Sequence, residues 1–557
     1  MRTSLKKTLE AQLHQVVRQV FGVDLPLALE VPPNPELGDY AAPIGFRLAR
    51  TLKQAPERIL ETLRPHVLDA LAAWVKEAEI HRGYLNLYLR EEALRQETLR
   101  LLSDFHQWLP RVASGRRTLL EFVSANPTGP LNVANARAAS VGDTLVRVGR
   151  ALGAPVDAEY YVNDGGGQIR ALEESIAWHL GERSEPPEDG YLGAYLKAYA
   201  EQVRHLPYGQ RARRVADLIL QQQMEELQRF GVTFDHVVYE TEFHDPSEEP
   251  REINPRIGRH HTYTEQVLRA LEQRGLTRTI EGALYLDTTV GGDDKPRVLI
   301  RSNGQPTYFL YDLAYHLYKF DRGYEVLVDL WGPDHLGHVK RMKIALDLLG
   351  QALGRPEVNG TNLWVLIVQQ VTLLRGGQRV RMSKRKGEYY TLADLVQEVG
   401  VDAARFFFLL RSTSTPLDFD LDLARRLSRE NPVYYVQYVH ARIHSLLAFA
   451  QEQGIAVPES PEFQTLERLT TPEERRLMRL FAAFGDTLLD TYERMEPHRI
   501  PYVLLQLAEG FHAFYQKHRI VGDDPSLTQA RLLLARAVQQ VIRHGLHLIG
   551  VSAPERM

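Results

Sequence analysis

The stretch from Leu119 to Val162 constrains the fold of this chain more than any other. Leu119-Leu120-Glu121-Phe122-Val123 reads as a short buried strand, and Ser124 to Leu131 reads as a loop punctuated by Pro127, Gly129 and Pro130. The next segment is a helix with Val141, Leu145 and Val148 on one face, and Asp157 to Val162 is a second strand. Strand, tight loop, helix and strand in that order open a parallel doubly wound sheet. Such a sheet binds ligands beyond the carboxyl ends of its strands, and a helix N-terminus arriving there favours phosphate.

A chain of 557 residues holds several domains' worth of core. Residues 1 to about 110 read as a small α/β unit: two helices, the Pro- and Gly-rich loop Pro32–Asp39, more helix, and a strand hairpin through Tyr84–Leu89. Residues 165 to about 290 are mainly helical and charged, and look inserted between the halves of the sheet. The sheet is expected to resume with Arg297–Arg301 and Glu325–Trp331, and the last 130 or so residues read as an all-helical bundle. The expected divisions are 1–110, 111–370 with an insertion at about 170–290, 371–428, and 429–557.

The charged fraction is 25% and the net charge −4, so there is no global basicity, and nucleic acid would have to be met by local patches such as Arg375–Lys386. Cysteine is absent, which excludes disulfides, a thiolate nucleophile and Cys-ligated metal. The start opens an amphipathic helix with Leu9, Leu13, Val16 and Val20 on one stripe and no apolar core of signal-peptide type. No window approaches the ~18 apolar residues of a membrane span. A soluble, cytoplasmic protein with no membrane partner is expected.

Val380-Arg381-Met382-Ser383-Lys384-Arg385-Lys386-Gly387 is a basic loop suited to a polyphosphate on which charge develops. Lys384 would be its point charge, with Ser383 and the backbone amides donating hydrogen bonds. Glu121, Asn126, Tyr308 and Asp312 offer two acids, an amide and a phenol, acceptors that suit a guanidinium and an ammonium. Tyr161–Gln168 is a strand-to-helix turn with flexible glycines and is assigned a structural role. His335 and His338 lie three apart, but no third ligand or cysteine lies nearby, so a metal pair is not expected. Tyr435, Tyr438 and Arg442 share one helical stripe, which suits either stacking on unpaired bases or aromatic packing in a core.

Val380–Gly387 resembles the second signature loop of class I aminoacyl-tRNA synthetases, and the motifs around it narrow the likeness to the arginyl-tRNA synthetases, from residue 1 to Met557. The resemblance implies a Rossmann-type parallel sheet with inserted helical segments, a small N-terminal α/β domain and a C-terminal all-α bundle. It implies activation of L-arginine with ATP and transfer to the 3′-terminal adenosine of tRNA(Arg), with initial attachment at the 2′-hydroxyl. The family also tends to require bound tRNA for activation. ATP with Mg²⁺, no protein-bound zinc and a monomer are the accompanying expectations.

Carried over residue by residue, ATP falls to Pro127, Gly129, Asn132, Ala134, Asn135, Gly332, Asp334, His335, Met382, Ser383 and Lys384, of which Asn132, Asn135 and Lys384 would be catalytic. Arginine falls to Glu121, Ser124, Asn126, Tyr308, Asp312 and His335. The tRNA D-loop falls to Tyr84 and Asn86, and the anticodon to Tyr435, Tyr438, Arg442, Arg519 and Met557.

One departure stands out. Where the family reads His-x-Gly-His, this chain has Asn132, Ala134 and Asn135. Asparagine donates a hydrogen bond but carries no proton's worth of charge, and one lost charge-assisted contact is worth about 1–3 kcal/mol, roughly ten- to a hundredfold in rate. That leaves a second expectation open, a tRNA-binding paralogue without catalysis. A nucleotidyltransferase of the same sheet type leaves the N-terminal unit and the C-terminal bundle unexplained.

Overall fold

A computed structural model describes residues 3–32, 34–380, 390–459 and 461–557. The N-terminal unit runs α1 (Leu5–Phe21), β1 (Tyr40–Ala42), α2 (Ile44–Leu52), α3 (Pro56–Ala70), β2 (Val75–His81), β3 (Tyr84–Leu89), α4 (Glu91–Ser103) and α5 (Phe105–Trp108). Its strands pair antiparallel in the order β1-β3-β2. One helix, not two, precedes the proline-rich loop. Gly22 closes α1 in the left-handed region at φ 68°, and Pro26 disfavours a restart.

The central sheet follows from β4 (Thr118–Glu121), α6 (Val133–Ala151) and β5 (Val156–Val162), as the sequence pattern predicts. Three helices come next, α7 (Gly166–His179), α8 (Ala194–Val203) and α9 (Arg211–Arg229), and then β6 (His236–Tyr239), which pairs parallel with β5. The insertion therefore returns to the sheet before it ends. Beyond α10 (His261–Gln273), β7 (Thr277–Ile280), β8 (Ala283–Leu286) and β9 (Arg297–Ile300) form their own antiparallel sheet. Arg297–Arg301 thus does not resume the central sheet. The short run fits a hairpin equally well, and its partner β8 lies only one loop upstream.

The central sheet resumes after α11 (Tyr308–Asp321) with β10 (Val326–Trp331), α12 (Leu336–Leu353) and β11 (Leu363–Ile367), giving the order β11-β10-β4-β5-β6. All its pairings are parallel. The switch in strand order falls between β4 and β10, and it opens a crevice at their carboxyl ends.

A third small sheet pairs β12 (Val371–Arg375) antiparallel with β13 (Gln378–Arg379) and parallel with β14 (Leu417–Asp420), around α13 (Leu392–Phe408). After α14 (Leu421–Arg425) the chain is helical: α15 (Pro432–Glu452), α16 (Phe463–Leu466), α17 (Pro472–Arg494), α18 (Arg499–Lys517) and α19 (Pro525–Leu548). The N-terminal unit docks on α17: Arg475 donates to Asp39 at 2.8 Å and to Glu91 at 2.7 Å, and the Tyr40 hydroxyl donates to Asp486 at 2.6 Å. Among the described residues, no helix is long and apolar enough to cross a membrane.

Arg405 of α13 locks these parts together. It is fully buried, pairs with Asp143 of α6, and donates to the carbonyls of Ile549 at 2.8 Å and Phe230 at 3.1 Å. Replacing it with Met leaves two buried carbonyls without a donor and Asp143 with Arg147 as its remaining partner at 2.7 Å, which should cost about 3 kcal/mol and lower the melting temperature measurably. Lys cannot reach three acceptors in a planar fork and should not rescue it. An unchanged melting temperature in Arg405→Met would contradict this role.

Candidate active site

The loop leaving β4 is strained. Val123 has φ 72° and Ser124 φ 39°, and the Ser124 amide donates to the Phe122 carbonyl at 3.0 Å. A three-residue turn with positive φ at a β-branched residue is costly and persists only where its surroundings impose it. Here the Ser124 hydroxyl donates to Glu121 Oε1 at 2.8 Å and accepts from the Tyr161 amide at 3.1 Å. Glu121 is turned inward, for its Oε2 accepts from the buried Lys319 ammonium at 2.6 Å. Burial, which outweighs the pull of Lys319, raises the Glu121 carboxyl above its ordinary range.

Beyond the loop, Asn132 caps α6. Its side-chain oxygen accepts from the amides of Ala134 at 2.8 Å and Asn135 at 3.2 Å, and the Asn135 side-chain oxygen accepts from the Asn132 amide at 3.0 Å. Both side-chain carbonyls are thus spent on backbone donors, which leaves the two amide NH₂ groups as outward donors. Gln223 of α9 donates to the carbonyls of Asn126 at 3.1 Å and Gly129 at 2.7 Å, and the Tyr195 hydroxyl donates to that of Thr128 at 2.6 Å. Pro127 is buried beneath this loop, while Ala134 is exposed on the first turn of α6. Arg137, fully buried, donates to the carbonyls of Gln369, Ser412 and Thr415 at 2.8–3.0 Å, and burial lowers its pKa to about 10. Asn132 also bridges to Thr391, and the Leu392 amide donates to the Leu131 carbonyl at 2.8 Å. Met382, Ser383 and Lys384 lie outside the described residues.

Opposite, the first turns of α11 present Tyr308 and Asp312. His338 Nε2 meets Asp312 Oδ2 at 3.2 Å, with Trp331 packed on His338 at 5.5 Å. Gly332, Asp334 and His335 are exposed where β10 ends. The Tyr161 hydroxyl is buried and has no hydrogen-bond partner among the described residues. Burial first, then the carboxylates of Glu240, Asp312, Glu121 and Asp164, push its pKa well up.

A cleft of about 970 Å³ is lined among others by Tyr308, Tyr311, Glu240, His244 and the backbone of Gly166 and Gly167. The glycine turn shapes this cleft. A Cβ on Gly165 would lie 2.8 Å from the His244 ring, and one on Gly166, at φ 69°, 2.9 Å from the Tyr308 hydroxyl. Glu240, His244 and Gln223 were not legible as site residues. They sit in the segment read as an insertion, and no motif marks them.

The distal residues form two groups. Tyr84 packs edge-on against Phe46 at 5.6 Å, and Asn86 is only 3% exposed within the N-terminal sheet. Along α15, Tyr435 stacks on His512 at 4.7 Å, and Arg442 covers the rings of Tyr438 at 5.1 Å and Tyr515 at 4.5 Å. Burial and the cations Arg442 and Arg429 lower the His512 pKa to about 4, so that stack is neutral at pH 7. His440 of α15 meets the Pro554 carbonyl at 2.9 Å, which holds the terminal segment along this helix. Arg519 and Met557 are exposed. Among the described residues, no group of three or more acids or histidines is placed to hold a metal ion.

Two family models match the chain: "Arginyl tRNA synthetase N terminal domain" over residues 3–89, and "DALR anticodon binding domain" over residues 436–557. The chain is 40% identical to the arginine–tRNA ligase of Syntrophotalea carbinolica, across 100% of this chain and 99% of that one. It is 38% identical to the arginine–tRNA ligase of Listeria welshimeri, across 98% of each. Its fold matches that of Thermus thermophilus arginyl-tRNA synthetase with a TM-score of 0.79 at 23% identity, covering 99% of this chain and 100% of that one.

The cap at α6 can be separated from any chemistry beside it. Asn132→Ala should cost about 1 kcal/mol of stability, whereas Asn132→Asp, an equally good cap, should cost little. Chemical-denaturation midpoints of the two variants check this, and equal midpoints would mean that the cap carries no stability.

Proposed function

The chain belongs to the arginyl-tRNA synthetase family, and we propose how its residues divide the work of an arginine–tRNA ligase. The enzyme activates arginine with ATP to arginyl-adenylate and transfers the arginyl group to the 3′-terminal adenosine of tRNA(Arg). In the first step the arginine carboxylate attacks the α-phosphorus and pyrophosphate leaves. In the second, the ribose hydroxyl attacks the arginyl carbonyl and AMP leaves. Neither step needs a covalent enzyme intermediate, so the protein contributes positioning and electrostatics.

The residue assignment rests on the cleft that Glu240 and Tyr308 line, with the Asp312 carboxylate one helical turn along α11 from Tyr308 and near enough to act on Glu240. Asp312 and Glu240 are the carboxylates for the guanidinium, and Tyr308 packs against it. Ser124, Asn126 and His335 meet the α-amino and carboxylate end, with Glu121 holding Ser124 from below. ATP lies along Pro127, Gly129 and the start of α6 at Asn132, Ala134 and Asn135, with Gly332, Asp334 and His335 around its adenosine. Mg²⁺ arrives as part of the ATP substrate. Met382, Ser383 and above all Lys384 stabilise the departing pyrophosphate.

Asn132 and Asn135 donate neutral hydrogen bonds to ATP from the NH₂ groups that their capping bonds leave free. Tyr84 meets the D-loop, whereas Asn86, only 3% exposed, supports it from within the sheet; Tyr435, Tyr438, Arg442, Arg519 and Met557 meet the anticodon, which divides the chain into the four regions 1–110, 111–370, 371–428 and 429–557. The enzyme works as a cytoplasmic monomer. The full-length likeness to ligases leaves the catalytically silent alternative without support.

Charging of tRNA(Arg) by the purified protein with arginine and ATP tests the activity directly. Asp312→Ala should reduce kcat/KM for arginine by about tenfold or more, because it leaves the substrate cation partly unpaired. Wild-type kinetics in that variant would remove Asp312 from the pocket.

Restoring histidine at both Asn132 and Asn135 should add an ionisation near pH ~6.5 to the rate profile. The same variant should be less stable by about 1 kcal/mol, since histidine is a poorer cap. A native protein that makes no arginyl-tRNA, beside a double-histidine variant that does, would sink the claim that the asparagines are competent.

A further inference from the structure

His244 follows the turn after β6 and is buried in the wall of the cleft, its side chain 7% exposed. Its ring lies flat on Tyr311, with centroids 4.1 Å apart and planes at 13°. Nδ1 meets Glu248 Oε2 at 3.0 Å and Nε2 meets Glu240 Oε1 at 3.4 Å. The Tyr311 hydroxyl donates to the other Glu248 oxygen at 3.1 Å, so that carboxylate is held in place. A flat cation stacked on an aromatic ring and shared by two carboxylates is also the geometry that a guanidinium seeks.

From its own segment Glu240, Asp245 and Glu248 face His244, and α11 contributes Tyr308 and Tyr311, with Asp312 acting on Glu240. From α10, His261 and Glu265 line the cleft, while Arg170 and Arg301 stand on the opposite wall. Burial opposes a charge on His244, but the hydrogen bonds and attraction of Glu240 and Glu248 prevail and raise its pKa to about 9. The imidazole is therefore a cation at neutral pH.

We propose that His244 is the resident counter-cation of the guanidinium site, and that arginine takes over Glu240 by displacing the His244 proton to solvent. The proposal rests on the assignment of this cleft to the arginine side chain. An imidazolium and a guanidinium on one buried carboxylate repel each other at close range. Guanidinium cannot give up its proton in a protein, whereas imidazole can. One charge leaves as one arrives, and the balance of the cleft is kept. The His244 pKa is then lower in the complex than in the free enzyme. Between the two values arginine binding releases a proton, and affinity rises with pH by up to about tenfold per unit. The gain levels off above about pH 9, where His244 is already neutral. His244 thus sets how strongly the pocket favours a cation that holds its charge over one that can lose it.

Isothermal titration of the full-length protein with L-arginine at neutral pH, in phosphate and in Tris, measures the protons released, because the two buffers differ in ionisation enthalpy. Wild type should release a large fraction of one proton per arginine. His244→Phe, which keeps the stack on Tyr311, should release almost none, and His66→Gln, exposed on α3 and outside the cleft, should behave as wild type. If His244→Phe does not fold, His244→Gln retains hydrogen bonding without the charge and should also release almost none. Binding by wild type with no proton release, or equal release in the His244 variants, would overturn the proposal. No arginine binding by wild type would instead bring down the assignment of the pocket, and this proposal with it.

Discussion

Two carboxylates face each other across the switch point of the sheet, and one buried ammonium makes that tolerable. Glu121 of β4 and Asp329 of β10 are register partners on adjacent parallel strands. Lys319 of α11, with no exposed side chain, donates to Glu121 at 2.6 Å and to Asp329 at 2.9 Å. His316 adds a contact to Asp329 at 2.9 Å, and the Tyr315 ring lies 4.2 Å from the ammonium. Without the cation, two buried like charges would push the central strands apart or take up protons. Everything at the carboxyl edge inherits its place from this knot. Glu121 orients Ser124, Ser124 sustains the strained turn at Val123, and that turn aims the loop toward the start of α6. The same α11 that delivers Lys319 below presents Tyr308 and Asp312 above.

The start of α6 shows how one substitution changes two properties at once. The family's imidazoles carry charge but cap a helix poorly, whereas the two asparagines close a reciprocal capping box. Exchanging one for the other gives up positive potential near the phosphates and gains local stability. The spent side-chain carbonyls also fix which way each amide points, so the donors do not have to be oriented by substrate. Arg137 reinforces the arrangement from behind, tying α6 to the loops that carry Gln369 and Ser412.

Much of this was legible in the residues. The run from Leu119 through Val162 announced the parallel sheet because a buried strand, a proline-punctuated loop and an amphipathic helix each leave a local pattern. Tyr435, Tyr438 and Arg442 could be placed on one stripe for the same reason. Local pattern is silent about which partner a strand or side chain will meet. Arg297–Ile300 has the apolar character of a central strand, yet pairs in a hairpin sheet. Glu240 and His244 lie more than a hundred residues from Glu121, and only the return of β6 to the sheet brings them to the site. The capping box does leave a signal, an Asn three residues before another at a helix start, at the same two positions where the family carries histidine.

The helix α6 spans the distance between the two ends of the molecule's work. Its first turn carries Asn132 and Asn135, and its later turns are clamped by Arg405 at Asp143, by the His547 carbonyl against Arg147, and by the Tyr492 ring against Gly149. Nineteen residues make a rod about 28 Å long. Held at the far end by the helical bundle, such a rod behaves as a lever. A tilt of only about 2° at the clamp would carry the opposite tip through about 1 Å, a displacement on the order of those that change rates a hundredfold. Whatever seats itself on the bundle therefore has a stiff mechanical route to the phosphate-facing amides, and the tolerance of the chemistry is set partly by how firmly that distant grip is held.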